Sequence, residues 1–268
     1  MNVHNECNQQ KQLATLLKEL HLPGMRQAYD ECIQTAEREK LSYEAFLCML
    51  LERENETRTM RRIERLRAEA RLPCEKTFAT FDRRRLSPGI ARTVSALKDG
   101  CFLDRHENVL VFGNPGSGKT HLVSAIAEEQ VQQGRSVLFT TCSMLVQHLL
   151  VAKRDLTLVG ALKKLARYEA LVIDDIGYVQ HERDEMEVLF TLLAERYERG
   201  SVLLTSNLPF SQWERVFKDP LITAAVTDRL VHHSIIIELN MESYRIAAAQ
   251  KARRTGGNQQ PQTTETET

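Results

Sequence analysis

Eight consecutive residues, Gly113-Asn114-Pro115-Gly116-Ser117-Gly118-Lys119-Thr120, fit the pattern G-x-x-x-x-G-K-[ST]. Glycines at these spacings let a backbone fold around phosphate oxygens, so that successive N–H groups and the positive end of a following helix face an anion. The pattern assigns Lys119 to the β- and γ-phosphates of a nucleotide and the Thr120 hydroxyl to Mg²⁺. About fifty residues on, the apolar run Leu171-Val172-Ile173 ends in Asp174-Asp175. An acid pair after such a strand can hold the metal ion through Asp174 and orient or deprotonate an attacking water through Asp175. A second apolar run, Val202-Leu203-Leu204-Thr205-Ser206, ends in Asn207, an amide able to polarise the same water. Together these residues predict binding of ATP with Mg²⁺ and hydrolysis of its terminal phosphate. A further candidate is Arg229, on a predicted helix, which could reach a neighbouring subunit's γ-phosphate; a surface ion pair with Asp228 is the other reading of that residue.

Such groups must be delivered by strands whose ends lie side by side. From about residue 88 onward, apolar runs of strand length alternate with helix-length amphipathic segments, which implies a parallel sheet with crossover helices. Strands are expected at Val109–Phe112, Ser136–Thr141, Leu171–Asp175, Val202–Ser206 and Ile235–Leu239. The phosphate-loop pattern falls between the first of these and a helix starting near Lys119, where its chemistry requires it.

The first seventy residues lack that alternation and read as helices. Leu13, Leu16, Leu17 and Leu20 recur at helical spacing up to the Leu22-Pro23-Gly24 break. Ala28, Tyr29, Cys32, Ile33 and Ala36 form a second stripe. Ser42 can cap a third helix with Tyr43, Phe46, Leu47 and Leu50 facing inward, and Met60, Ile63, Leu66 and Ala70 continue it or start a fourth. The expected organisation is a helical domain over 1–72, an α/β nucleotide-binding domain over 73–254 and a disordered, low-complexity tail over 255–268.

Of 268 residues, 36 are basic and 36 acidic, yet the balance is local. Gln27 to Glu56 holds eight acids against three bases, whereas Arg58 to Arg92 holds eleven bases against four acids. The two surfaces suit different partners. Arg58, Arg62 and Arg65 share a helix face with Arg61 beside them, and Arg83, Arg84 and Arg85 follow in a linker-like stretch. These seven arginines are the candidates for contact with the backbone of double-stranded DNA. No apolar run is long enough to span a membrane, and the polar start offers no signal core, so a cytoplasmic protein with no membrane partner is expected. Six scattered cysteines without a C-x-x-C pair suit free thiols, and the His232-His233 pair reads as a helix-end feature.

The phosphate loop, Ile173-Asp174-Asp175-Ile176-Gly177, Thr205-Ser206-Asn207-Leu208-Pro209-Phe210 with Trp213, and Asp228-Arg229-Leu230 through Glu242-Ser243-Tyr244-Arg245 together resemble the IstB-like ATPases, helpers of insertion-sequence transposition. These are AAA+ proteins related to the DnaC-type helicase loaders. The resemblance, which runs to about Arg254, implies an AAA+ domain behind an all-helical domain, ATP-dependent homo-oligomers on DNA, and recruitment of a partner transposase; the alternative within the class is a helicase loader. Asp175 stands where the wider AAA+ pattern has Glu, one methylene longer, which implies slow hydrolysis. Arg245 is the one candidate for a carboxy-terminal sensor arginine.

Overall fold

The computed structural model of the chain describes residues 3–177, 183–214, 219–241 and 243, with side chains from residue 11 onward. These fall into two compact units, Met1–Ala68 and Glu69–Thr268.

The first unit is helical: α1 (Val3–Glu19), α2 (Pro23–Glu39) and the start of α3 (Tyr43–Ala70). Pro23 opens α2, where its missing N–H costs nothing. The next two N–H groups, of Gly24 and Met25, donate to the Glu54 carboxylate at 2.7 and 3.1 Å. Glu54 is only 4% exposed, and its other oxygen accepts from Arg58 Nε at 2.7 Å. At this crossing a Cβ on Gly24 would sit 2.8 Å from the Arg53 carbonyl oxygen, so only glycine lets the two backbones meet. Met25, Cys32 and Leu50 form the small core, with Leu17, Tyr29 and Phe46 packed against it.

Two expectations change here. The Ser42 hydroxyl does cap α3, accepting from Ala45 N at 3.2 Å, but Tyr43 is 93% exposed and Leu47 also faces out. The buried stripe runs through Phe46, Met49, Leu50 and Glu54 instead, because Glu54 must reach the start of α2 and so fixes the rotation of the helix. In addition, Met60 is exposed, although α3 does continue as one helix of 28 residues, the first of the two readings of its pattern.

The second unit holds a five-stranded, all-parallel sheet: β1 (Asn108–Gly113), β2 (Val137–Thr141), β3 (Ala170–Ile176), β4 (Ser201–Ser206) and β5 (Ser234–Leu239), in the order β2-β3-β4-β1-β5. All five lie within a residue of their expected positions. Helices α4 (Pro88–Leu97) and α5 (Cys101–Asp104) precede β1, and between the strands run α6 (Lys119–Gln132), α7 (Cys142–Arg154), α8 (Leu158–Leu165), α9 (Arg183–Arg196) and α10 (Pro220–Val231). Helix α6 packs on β1, β3 and β4, and α7 on β2 and β3. Val109, Leu110 and Val111 are fully buried, as a central parallel strand requires. The cysteines whose side chains are described, Cys32, Cys48, Cys74, Cys101 and Cys142, are free thiols. No helix among the described residues is long and apolar enough to cross a membrane. The tail, Arg245 and the rest of the motif from Tyr244 lie outside the described residues.

Burial works to raise the Glu54 carboxyl, but the Arg58 guanidinium and the N–H groups of Met25 and Gly24 outweigh it and hold it below the ordinary carboxylate range. A depressed carboxylate adds stability above its unfolded value and loses it as the pH falls through the folded one. Glu54→Gln is therefore expected to destabilise the chain by about 2 kcal/mol at neutral pH. Urea unfolding followed by circular dichroism should show the gap between variant and parent closing as the pH is lowered to about 3.

Candidate functional site

Strand order makes the site. β1 lies beside β4, and β4 beside β3, so the carboxyl ends of all three open onto one edge of the sheet. From β1 the chain enters the phosphate loop, and α6 begins at Lys119. Gly116 and Gly118 adopt φ of 82° and 96°, in the left-handed region. At Gly113 (φ 151°) a Cβ would lie 2.5 Å from the Leu239 carbonyl oxygen, and at Gly116 it would collide with the Ser243 side chain. The loop thus keeps a tight backbone concavity that side chains would fill. Lys119 Nζ donates to the carbonyl oxygens of Gly113 and Asn114 at 2.8 and 3.0 Å, bringing its charge across the loop. Ser117 is buried, and its Oγ has no hydrogen-bond partner among the described residues.

The acids at the end of β3 are held by a residue that the sequence did not single out. The β3–β4 register breaks between Ile173 and Ile176, and within that irregularity Asp175 turns into the left-handed region at φ 60°. Its N–H donates to Thr205 Oγ1 at 2.8 Å, while the same hydroxyl donates to Asp174 Oδ1 at 2.6 Å. Thr205 is fully buried and Asp174 nearly so, whereas Asp175 is exposed. One hydroxyl therefore fixes the metal-ligating candidate and aims the second acid outward. Thr205 stood inside the motif that carried the resemblance, but its role depends on a strand irregularity that no spacing reveals.

Asn207 follows β4. Its Oδ1 is buried without a partner among the described residues and would lie 3.3 Å from a Cβ on Gly177, just past the acids of β3. Asn207 and the Asp174–Asp175 pair are thus neighbours. The loop carrying Asn207 is pinned from below: Trp213 Nε1 donates to the Leu208 carbonyl oxygen at 3.1 Å, and the rings of Phe112, Phe210 and Trp213 cluster at centroid distances of 4.6 to 6.2 Å.

The stretch before α4 is more than a linker. His121 Nε2 lies 3.0 Å from the Thr77 carbonyl oxygen and 3.1 Å from Thr80 Oγ1, and the Phe81 ring meets the imidazole edge-on. This strap borders a cavity of about 380 Å³ lined by Phe81, Arg85, Ser117, Gly118, His121 and Met241. Its position beside the phosphate loop suits the base and sugar of a nucleotide.

The arginines divide. Arg85 lines that cavity; Arg83 stacks over Phe78 at 4.8 Å; Arg84 is exposed on the same 3-10 turn. In the helical unit Arg58 is committed to Glu54 and to the His21 carbonyl oxygen, and Arg61, Arg62 and Arg65 are exposed on α3. Arg229 makes no ion pair among the described residues. Its guanidinium lies 4.8 Å over the Phe190 ring, and Nη1 donates to the Ala225 carbonyl oxygen. Asn108, the first residue of β1, donates from Nδ2 to the Leu230 carbonyl oxygen at 3.1 Å and accepts from Val202 N at 2.9 Å. The end of α10 that carries Arg229 therefore lies beside the amino end of β1, the end opposite the phosphate loop, while its guanidinium reaches back along the helix toward Ala225 and Phe190.

The IstB-like ATP binding protein family matches residues 15–252. The chain belongs to that family. A protein of Sinorhizobium fredii that carries the name insertion sequence ATP-binding protein is 42% identical over 257 residues, 96% of this chain and 86% of that one. Among solved structures, DnaI superposes with a TM-score of 0.52 at 21% identity, over 65% of this chain and 94% of that one. AMPPCP-bound DnaA of Aquifex aeolicus gives 0.53 at 15% identity, over 72% of this chain and 58% of that one. At these identities the likeness is one of fold alone, that of the P-loop α/β proteins DnaI and DnaA.

If the Thr205 hydroxyl organises the two acids, Thr205→Val should remove both of its hydrogen bonds, to the Asp175 N–H and to buried Asp174, and cost about 1–3 kcal/mol. Thr205→Ser, which keeps the hydroxyl, should stay near the parent. Thermal unfolding of the two variants checks this; a Thr205→Val chain that loses no more stability than Thr205→Ser would contradict the role of the hydroxyl.

Proposed function

We propose that this IstB-like chain is an ATP-hydrolysing helper of transposition that assembles on double-stranded DNA and recruits a partner transposase. The observation that carries the reading is the convergence, at three adjacent strand ends, of a glycine loop with Lys119, the Thr205-oriented Asp174–Asp175 pair and Asn207. The concave loop, the unpartnered Ser117 hydroxyl and the hard-oxygen set of Thr120 and Asp174 fit a nucleotide phosphate chain and Mg²⁺. The ion supplies charge neutralisation to the phosphate oxygens when bound.

In this reading the N–H groups of the loop on either side of Pro115 and the Lys119 ammonium hold the phosphates, with Lys119 exchanging its loop carbonyls for phosphate oxygens. Asp174 and Thr120 hold the ion. Asp175, aimed outward by its left-handed backbone, takes the proton of the attacking water or orients it, and the Asn207 amide polarises that water. The strap of Phe81, Arg85 and His121 encloses the rest of the nucleotide, so Arg85 belongs with the nucleotide rather than with DNA. The fold and domain division support a helical partner-binding domain, 1–72, ahead of the ATPase domain, 73–254.

Arg229 supports assembly. Its backbone lies by the amino end of β1, opposite its own phosphate loop, so in this reading its guanidinium meets the γ-phosphate of the next subunit. Packing of subunits would complete each site and align successive copies of α3, multiplying modest backbone contacts from Arg61, Arg62 and Arg65. Arg58, engaged by buried Glu54, shapes that helix rather than contacting DNA.

Arg229→Ala should lower ATP turnover by about 10³-fold or more while leaving nucleotide affinity of the monomer unchanged, and it should abolish ATP-dependent assembly in sedimentation. Changing Arg61, Arg62 and Arg65 together to Ala should spare nucleotide binding and lower the salt slope of DNA affinity by about three. Normal assembly and turnover in the first variant, or an unchanged slope in the second, would contradict the respective role.

A further inference from the structure

At the sheet edge opposite the phosphate loop, two chain reversals meet. One follows α9, where Tyr197 and Glu198 leave the helix with Glu198 in the left-handed region at φ 57°. The other follows α10, where His232 and His233 lead into β5, and the Asn108 N–H donates to the His233 carbonyl oxygen at 2.7 Å. The backbone of the histidine pair is thus fixed by the central strand. The two imidazoles meet edge-on with centroids 4.1 Å apart. His233 Nε2 lies 3.7 Å from Glu198 Oε1, and the Tyr197 hydroxyl lies 2.8 Å from His232 Nδ1.

We infer that Glu198, His232 and His233 form a binding site for a divalent transition metal of the zinc class. One ligand atom from each residue lies within 4.8 Å of the others. Ligands of a tetrahedral zinc with bonds of about 2.0 Å stand about 3.3 Å apart, so rotation of exposed side chains closes the set without moving backbone. Two imidazoles and one carboxylate are a donor set that suits zinc and its neighbours, and three protein ligands leave a position for water or an outside group. Tyr197 has the place of an outer partner: engaging Nδ1 of His232, it leaves Nε2 for the metal and holds the ring, as partners of metal-bound histidines do. An ion pair alone explains the cluster less well. Glu198 stands at a loose distance from His233, and the imidazole of His232, packed edge-on against the first, makes no ion pair among the described residues. The inference is independent of the nucleotide reading, since the cluster shares no residue with the phosphate-loop site.

The test uses the full chain stripped of metal with a chelator and then titrated with Co²⁺, followed by displacement with Zn²⁺. One Co²⁺ per chain is expected, with visible d–d absorption and no thiolate charge-transfer band, released by one equivalent of Zn²⁺. His232→Ala, His233→Ala and Glu198→Gln should each weaken Co²⁺ binding by at least about 10-fold, and Tyr197→Phe should weaken it by about the same factor at unchanged stoichiometry. His148→Ala, at an exposed histidine on α7, should change nothing. Because Glu198 is exposed and its amide is isosteric, Glu198→Gln decides the matter if a histidine variant misfolds by circular dichroism. Absence of saturable binding would overturn the inference. So would a thiolate band, which would assign the metal to cysteines such as Cys48, Cys74 or Cys101, or an affinity indifferent to Glu198→Gln.

Discussion

Strand β1 is held between β4 and β5, and its two ends define the molecule's two working edges. At its carboxyl end the chain has no room for a side chain at Gly113, because the Leu239 carbonyl oxygen of β5 occupies that space, and the backbone is forced into the phosphate loop. At its amino end the buried Asn108 amide ties together the last turn of α10 and the start of β4. The end of α10 that carries Arg229 and the phosphate loop are thus tied to opposite ends of this one strand, which supports the proposal that a site using both draws them from two chains.

The polar interior of the second unit follows from the same parallel arrangement. Where β3 breaks register with β4, the freed Asp175 N–H and the buried Asp174 carboxylate need partners, and the Thr205 hydroxyl serves both. At the opposite edge Arg196 is buried and donates to the carbonyl oxygens of Leu165, Tyr168, Glu169 and Ser201. Its burial without an acid lowers the guanidinium's pKa to about 10. A buried cation that binds only carbonyl oxygens closes chain ends at the sheet edge; it has no catalytic reach.

Much of this was legible in the sequence, for identifiable reasons. The central parallel strands β1, β3 and β4 bury both faces, so each holds a continuous apolar run, and the glycine spacing of 113–118 admits few backbone paths. What escaped were features set by partners distant in sequence. The rotation of α3 is dictated by Glu54 reaching back to Gly24, thirty residues away, which exposes Tyr43 and Leu47 and engages Arg58. Arg85 read as part of a basic run; the strap anchored on His121 puts it beside Ser117 and Gly118 instead. The histidine pair was noticed, but Tyr197 and Glu198 belong to a different helix end, and only the fold brings the four together.

The account stands most directly on a mixing experiment. Lys119→Ala chains lack the phosphate-binding cation yet keep Arg229, and Arg229→Ala chains have the reverse defect. Each alone should hydrolyse ATP poorly. Mixed in equal amounts, they should recover a substantial part of the parental turnover, because an Arg229→Ala chain can bind ATP and receive the arginine of a Lys119→Ala neighbour. Turnover in the mixture no greater than the sum of the two separate preparations would contradict a site shared between chains, and parental ATP affinity in Lys119→Ala would contradict the phosphate loop itself.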